Sequence, residues 1–328
     1  MPKLACLYLV IPCYNEEEML PISCEKLKKL YERLVDSGQI SQESRILFVN
    51  DGSKDKTWQL IQEAHQKNAI FSGVNLTRNR GHQNALLAGL MLAKDYADVT
   101  ISIDADLQDD LNAIDDMLKA YQAGANIVYG VRNNREADSF FKRVTAQAYY
   151  KVLSYLGGDI IYNHADFRLM DRKALEELSR YKEVNLFLRG LVPMIGLNTS
   201  CVYYERHKRL AGESKYPLKK MLALAFEGIT SLSIRPIKLI TYMGLMMSLV
   251  SLIALVYALV QYFRGEVVSG WTSIVASIWL LGGIQISAIG LIGEYIGKIY
   301  LESKHRPRYG IKEVLNHLSK GSYDDQQR

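Results

Sequence analysis

Two long runs without charge constrain this chain more than any other feature: Leu239–Phe263 and Val267–Gly293 contain no Asp, Glu, Lys or Arg. Each is longer than the ~20 apolar residues a helix needs to cross a bilayer, and the helices of a soluble core seldom stay uncharged for so long. Two spanning helices are expected, joined by Arg264-Gly265-Glu266, a linker without net charge. Lys219, Lys220, Arg235 and Lys238 precede the first run, and Lys298, Lys304, Arg306 and Arg308 follow the second. Lys and Arg beside membrane spans mark the cytoplasmic side, so both ends are expected there. The formal net charge of +5 over 328 residues is modest. Its basic residues gather beside the apolar runs, which suits an anionic membrane surface better than nucleic acid.

Two further segments have interfacial character. Phe140–Leu156 mixes Phe141, Tyr149 and Tyr150 with Lys142, Arg143 and Lys151, and Tyr216–Leu232 sets Lys219-Lys220 ahead of an apolar run. Both read as helices able to lie on a membrane surface. Gly283 with Ser287, and Gly293 with Gly297, have the spacing that lets spanning helices approach closely. Four cysteines, Cys6, Cys13, Cys24 and Cys201, form no C-x-x-C pair and have no companion His spacing. Neither a disulfide framework nor a zinc site is indicated, and a reducing compartment fits. The first residues lack a cleavage site and read as a strand rather than a signal peptide.

The first half of the chain has a different rhythm. Leu7–Ile11, Ile46–Asn50, Gly73–Leu76, Val99–Ile103 and Ile127–Tyr129 are short β-rich runs separated by amphipathic stretches. This is the pattern of an α/β, Rossmann-like domain with a mainly parallel sheet. Polar clusters follow four of the runs: Tyr14-Asn15-Glu16, Asp51-Gly52-Ser53, Arg78-Asn79-Arg80 and Asp104-Ala105-Asp106. Ligands of open α/β sheets bind at the carboxyl ends of the strands, so the four clusters point to one site.

Asp104 and Asp106 leave a strand end with one residue between them, and Gln108 and Asp109 follow. Two close carboxylates suit Mg²⁺ or Mn²⁺, which share their coordination with phosphate oxygens. A D-x-D pair alone is commonly a solvated turn; the other clusters at equivalent strand ends give this one its weight. Asp51 opens a Gly turn and a helix start, and its carboxylate could also accept from a base or ribose. Pro12, Tyr14, Asn15 and Glu16 offer an aromatic face and a second carboxylate to the same nucleoside. No G-x-G-x-x-G or G-x-x-x-x-G-K-[ST] accompanies these strands, which removes dinucleotide and P-loop readings.

Taken in order, Ile11–Glu17, Val49–Asp55, Arg78–Gln83, Asp104–Asp109 and Ala165–Asp171 resemble the successive motifs of family 2 glycosyltransferases. Arg209-Leu-Ala-Gly-Glu-Ser-Lys215, two spans and Gly293-Glu-Tyr-Ile-Gly-Lys298 narrow the resemblance to the polyprenyl-phosphate glycosyltransferases. That group includes dolichol-phosphate mannose synthase and bacterial undecaprenyl-phosphate glucosyltransferases. The resemblance implies a GT-A fold and single, inverting transfer of a sugar from a nucleotide-sugar to a polyprenyl phosphate, supplying a lipid-linked sugar for cell-envelope glycans. The Q-x-x-R-W motif of processive members is missing. It implies Pro12, Tyr14, Asn15, Glu16, Asp51 and Arg80 around the nucleotide-sugar, Asp104, Asp106 and Gln108 around Mg²⁺ or Mn²⁺, and Asp166 as candidate base or positioning group. UDP-glucose is the first expectation for the donor, with UDP-N-acetylglucosamine and GDP-mannose as alternatives.

Cations are needed for an acceptor phosphate, and Arg132, Arg143, Arg209 and Lys215, with Ser214 in the same motif, are the candidates. The expected organisation is a catalytic domain over 1–215, a juxtamembrane amphipathic helix over 216–236, two transmembrane helices with a short outer loop over 237–297, and a cytoplasmic tail over 298–328. The subunit count is not readable, and a homo-oligomer is compatible with the sequence. Two other classes compete: an inactive sugar-nucleotide scaffold, against which the intact D-x-D argues, and a tethered transferase with a non-lipid acceptor, against which the basic interfacial segments argue.

Overall fold

The computed structural model describes residues 4–132, 164–184, 186–205 and 270–316, with scattered positions between 237 and 264. The chain divides into two compact units: one of 1–150, 159–218 and 307–328, and one of 151–158 and 219–306.

The first unit is built on an eight-stranded sheet in the order β7-β5-β6-β4-β1-β2-β3-β8. Its first half alternates as expected: β1 (Leu7–Cys13), α1 (Leu20–Asp36), β2 (Arg45–Asn50), α2 (Thr57–Lys67), β3 (Phe71–Leu76), α3 (His82–Ala93), β4 (Val99–Ser102), α4 (Ala113–Gln122) and β5 (Ile127–Arg132). Then come β6 (His164–Asp171), α5 (Arg172–Arg180), α6 (Leu188–Met194), β7 (Thr199–Tyr204) and, far along the chain, β8 (Ile311–Leu315). Pairings β1–β2, β1–β4, β2–β3 and β5–β7 are parallel, whereas β8 on β3 and β6 on β4 and β5 are antiparallel. The sheet is therefore mainly parallel, with β6 as an inserted antiparallel strand.

Every residue of β1 is buried, as a central strand covered by helices on both faces requires. One face packs on α1, whose Leu20, Leu27, Leu30 and Leu34 are buried at helical spacing. Leu27 is wholly buried in that core, and truncating such a leucine to alanine costs about 2–5 kcal/mol. The other face packs on α3, an almost entirely apolar helix buried over Ala85–Leu90 and again at Leu92 and Ala93. That packing aims the N-terminus of α3, with His82, at the ends of the strands.

The segment read from sequence only as a tail contributes β8 to the sheet. In the second unit α7 (Trp271–Ser303) is a single 33-residue helix. Its Leu280–Ser303 portion has a mean hydropathy of 1.4 and no burial, and it is the one stretch among the described residues long and apolar enough to cross a membrane. The described positions among 237–263 are also helical. On α7 the Ser287 hydroxyl donates to the Gly283 carbonyl one turn back, at 2.9 Å. The two segments read as interfacial helices lie outside the described residues.

Candidate active site

The loops after β1 and β2 lock into each other. The Asn15 amide donates to Ser53 Oγ at 3.0 Å, and Lys54 N returns a bond to Asn15 Oδ1 at 2.9 Å. Glu16 N donates to Thr57 Oγ1 at 2.9 Å, and Thr57 is oriented by its own bond to Asp55 Oδ1 at 2.6 Å. Asn15 adopts a left-handed φ of 53°, which Asn tolerates better than most residues. The turn leaves Tyr14 exposed at the rim while Pro12 is buried in β1.

Asp51 ties the third loop to these two. Its Oδ1 accepts from Arg80 N at 2.7 Å and its Oδ2 from Gly81 N at 2.9 Å, and the residue is only 2% exposed. Burial raises its pKa, against the two amide bonds. Gly52 makes this approach feasible: its φ is 62°, and a Cβ there would lie 2.5 Å from Asn79 N. The sequence reading offered Asp51 to the nucleoside; in the structure its two oxygens also accept the amides that shape the 77–81 loop. Arg80 Nε, buried on that loop, has no hydrogen-bond partner among the described residues.

The carboxylates gather on the other side of His82. Leu107, at a φ of 45°, turns the chain after Asp104-Ala105-Asp106, and Gln108 N donates to Asp106 Oδ1 at 3.3 Å. His82 Nε2 stands 3.6 Å from Asp104 Oδ1 and 3.5 Å from Asp166 Oδ2. It thus joins the start of α3, the end of β4 and the start of β6. Burial alone would lower the His82 pKa, but its bond to Asp166 and the charges of Asp104 and Asp166 raise it. Asp104 is pushed up by burial, which His82 opposes and the neighbouring charges of Asp109, Asp166 and Asp106 reinforce.

This crowding of carboxylates suits a divalent cation. Among the described residues no three His, Cys, Asp or Glu side chains form a complete metal cage. A hard ion that completes its shell with water and phosphate oxygens needs only one or two protein carboxylates. Asp104 and Asp106 fit that requirement.

Asp166 is held by several cations. Arg168 Nη2 donates to its Oδ1 at 3.0 Å, and Arg189 reaches Oδ1 with Nε at 3.2 Å and Oδ2 with Nη2 at 3.0 Å. Burial by itself would raise its pKa, but Arg189, the bond from His82 and Arg168 hold it well below the usual carboxylate range. Asp166 and Arg168 thus form a buried salt bridge. Arg189 was not anticipated: it is a lone charge in the apolar run Leu186–Val192, and that isolation was the available signal. Gln83 and Arg168 fix this stretch by bonding the amide and carbonyl of Leu188, at 2.8 Å and 3.3 Å.

Arg132 is also committed. Its Nη2 donates to Asp109 Oδ1 at 3.2 Å and its Nε to the Tyr204 hydroxyl at 3.2 Å, while that hydroxyl donates to the same Asp109 oxygen at 2.5 Å. Tyr204 is a further residue the sequence reading passed over. The other acceptor candidates, Arg143, Arg209, Ser214 and Lys215, lie outside the described residues.

The first unit therefore brings Tyr14, Asn15, Glu16, Asp51 and Arg80 into one set of interlocked loops, joined through His82 to Asp104 and Asp166. The family model for glycosyl transferase family 2 matches residues 8–179, from β1 through almost all of α5, and a model for the GtrB C-terminal hairpin matches 235–299. The chain is 51% identical over 305 residues to the uncharacterized glycosyltransferase YkoT of Bacillus subtilis (strain 168), covering 93% of this chain and 90% of that protein. It is 39% identical over 306 residues to the bactoprenol glucosyl transferase of Shigella phage SfV, covering 93% and 97% of the two chains. Against the prophage bactoprenol glucosyl transferase homolog of Escherichia coli (strain K12) the identity is 40% over 310 residues, covering 93% and 98%. From motif order, sheet and family match together, the chain belongs to glycosyl transferase family 2.

Proposed function

We propose that this enzyme transfers a single glucose from UDP-glucose to a polyprenyl phosphate, with inversion at the sugar carbon, on the cytoplasmic face of a bacterial membrane. The observation that carries the reading is the end-to-end likeness to bactoprenol glucosyl transferases, which extends through both the catalytic sheet and the C-terminal hairpin. The lipid-linked glucose would then serve modification of an envelope glycan.

The interlocked loops take the nucleotide-sugar. Tyr14 offers its exposed ring to the base, Glu16 its carboxylate to the nucleoside, and Arg80 its buried Nε to a phosphate oxygen. Asp51 acts one step back by fixing the Arg80 and Gly81 amides. Asp104 and Asp106, with Gln108, would hold Mg²⁺ or Mn²⁺, which when bound supplies charge neutralisation to the departing diphosphate.

The bond-making step needs little from a base. A phosphate monoester loses its second proton near pH ~6, so the acceptor is already largely dianionic at neutral pH. Its oxygen forms the new bond to the sugar carbon, the bond to the nucleoside diphosphate breaks, and the electron pair leaves with the diphosphate. Asp166, held ionised by Arg168 and Arg189, orients His82 and the acceptor side of the site and takes up no proton.

In the membrane, the hairpin supplies two spans with a short outer loop between 237 and 297, and the catalytic unit over 1–215 and the tail over 298–328 face the cytoplasm. The charge bias at the hairpin ends and the exposed apolar side chains of α7 support this. Arg209, Ser214 and Lys215, just ahead of the juxtamembrane stretch 216–236, are the acceptor-phosphate residues.

The test is a donor panel. Purified protein in detergent is given UDP-glucose, UDP-N-acetylglucosamine or GDP-mannose, with and without undecaprenyl phosphate, and nucleoside diphosphate release is followed. Fast release is expected only with UDP-glucose and lipid together; equal release with another sugar would reassign the donor, and release indifferent to lipid would remove the lipid acceptor.

A further inference from the structure

We propose that Gly310, just ahead of β8 and outside every motif described above, is a positioning residue of the donor site. The inference rests on reading the 77–81 loop as part of that site. It starts from an oddity of the tail: β8 does more than cover the edge of the sheet. It runs antiparallel along β3, with Gly73, Val74, Asn75 and Leu76 opposite Leu315, Val314, Glu313 and Ile311, and the register shifts between Asn75 and Leu76. Past that irregularity the pairing continues beyond both strands, as Thr77 N donates to the Gly310 carbonyl at 2.9 Å.

Thr77 begins the loop that Asp51 holds at its other end through Arg80 N and Gly81 N. The loop bearing the unpartnered Arg80 Nε is thus pinned twice, once from β2 and once from the tail. A second route connects the same elements: Asn75, on the strand that β8 covers, accepts from Asn50 Nδ2 at 2.8 Å, and Asn50 Oδ1 accepts from Ser53 N at 3.2 Å in the neighbouring loop. The tail is anchored for this work. Arg308 donates to the Tyr181 carbonyl, and Tyr309, Ile311 and Val314 pack on the core cluster that contains α3.

Gly310 leaves little room beside Thr77. A Cβ there would lie 3.0 Å from Thr77 Oγ1 and 3.2 Å from Thr77 Cγ2, but 3.7 Å from Thr77 Cβ. Gly310→Ala therefore makes the Thr77 side chain give by a few tenths of an ångström at the first residue of the loop, and Thr77→Ala removes both atoms in the way while leaving the amide that bonds Gly310. Mere protection of a sheet edge predicts a change in stability without selectivity between substrates. A positioning role predicts a loss confined to the donor and reversed by the second substitution.

The experiment uses full-length protein in detergent and titrates UDP with Mg²⁺ by calorimetry into wild type, Gly310→Ala, Thr77→Ala and the double variant. The acceptor KM is measured alongside at saturating donor. Gly310→Ala should weaken UDP by about threefold to tenfold, within the range that contacting residues couple, leave the acceptor KM unchanged, and recover in the double variant. Hydrogen exchange on the wild type keeps the inference open to refutation should Gly310→Ala fold poorly: UDP should slow exchange at Thr77 as well as at Arg80 and Gly81. Wild type that binds no UDP would overturn the donor reading together with this one. UDP binding by wild type that Gly310→Ala leaves unchanged, a loss that Thr77→Ala does not reverse, or exchange at Thr77 indifferent to UDP would overturn this inference alone.

Discussion

Arg189 meets Asp166 with two nitrogens, Nε 3.2 Å from Oδ1 and Nη2 3.0 Å from Oδ2, while Arg168 takes Oδ1 from the other side at 3.0 Å. A carboxylate held this way is an orienting group and a poor base. Asp166→Asn should therefore lower kcat without removing an acid limb from the pH profile of transfer. Arg189→Lys, which keeps the charge but loses the planar fork, should lower kcat by roughly tenfold, less than Arg189→Ala. A limb that vanishes in Asp166→Asn would restore the base assignment.

The same contacts set a stability window. The folded pKa of Asp166 lies well below its ordinary 3.8, so the stabilisation is present above the unfolded value and is lost as pH falls through the folded one. Breaking a buried pair costs about 3–5 kcal/mol. Arg189 is 37% exposed and Arg168 remains, which reduces the expected cost of Arg189→Ala to about 1 kcal/mol. Thermal melts should show a difference between Asp166→Asn and wild type that persists from about pH 8 down to 5, is larger where His82 is protonated because Asp166 helps raise its pKa, and closes only in stronger acid. A difference that closes near neutrality would contradict the assignment.

Asp106→Asn keeps side-chain volume and removes a charge from the crowded carboxylates. Transfer should fall by at least about 100-fold, the scale on which electrostatic stabilisation of a departing group acts, with the melting temperature little changed. A chelator should act in the same way on wild type, with recovery on adding Mn²⁺ or Mg²⁺. Full turnover in excess EDTA would dismiss the metal.

Tyr204→Phe tests the cluster around Arg132. Asp109 is 1% exposed and its Oδ1 takes the Tyr204 hydroxyl at 2.5 Å, so removing the hydroxyl leaves a buried acceptor short of a bond at a cost of about 1–3 kcal/mol. Because Arg132 is spent on the same pair, Arg132→Ala should lower the melting temperature comparably. An Arg132→Ala protein of unchanged stability that loses only acceptor affinity would return Arg132 to the acceptor site.

The strands β1 to β5 were legible in the sequence because largely buried parallel strands read as mostly apolar runs, four of them followed by a polar cluster. Those clusters also marked the loops that interlock around Asn15 and Asp51. β6 (His164–Asp171) was hidden inside the motif Ala165–Asp171, whose charged Arg168 is buried against Asp166 and the Leu188 carbonyl. β8 was hidden by Lys312 and Glu313, which an edge strand exposes to solvent. Motif reading supplied Asp104, Asp106 and Asp166 but not what each carboxylate touches. Arg189 and Tyr204 reach the site from elements distant in sequence, and no local spacing encodes that meeting. Likewise the sequence offers Asp51 as a ligand group but cannot show that its oxygens also accept the Arg80 and Gly81 amides.

The central claim is the transfer of one glucose to a lipid phosphate, and mass spectrometry of the lipid product tests it most directly. After incubation of the purified enzyme with UDP-glucose, Mg²⁺ and undecaprenyl phosphate, the organic phase should contain undecaprenyl phosphate heavier by a single hexose, with no longer series, and Asp106→Asn should yield none. An unmodified lipid beside label in a protein or polysaccharide fraction, or a ladder of added hexoses, would contradict the account.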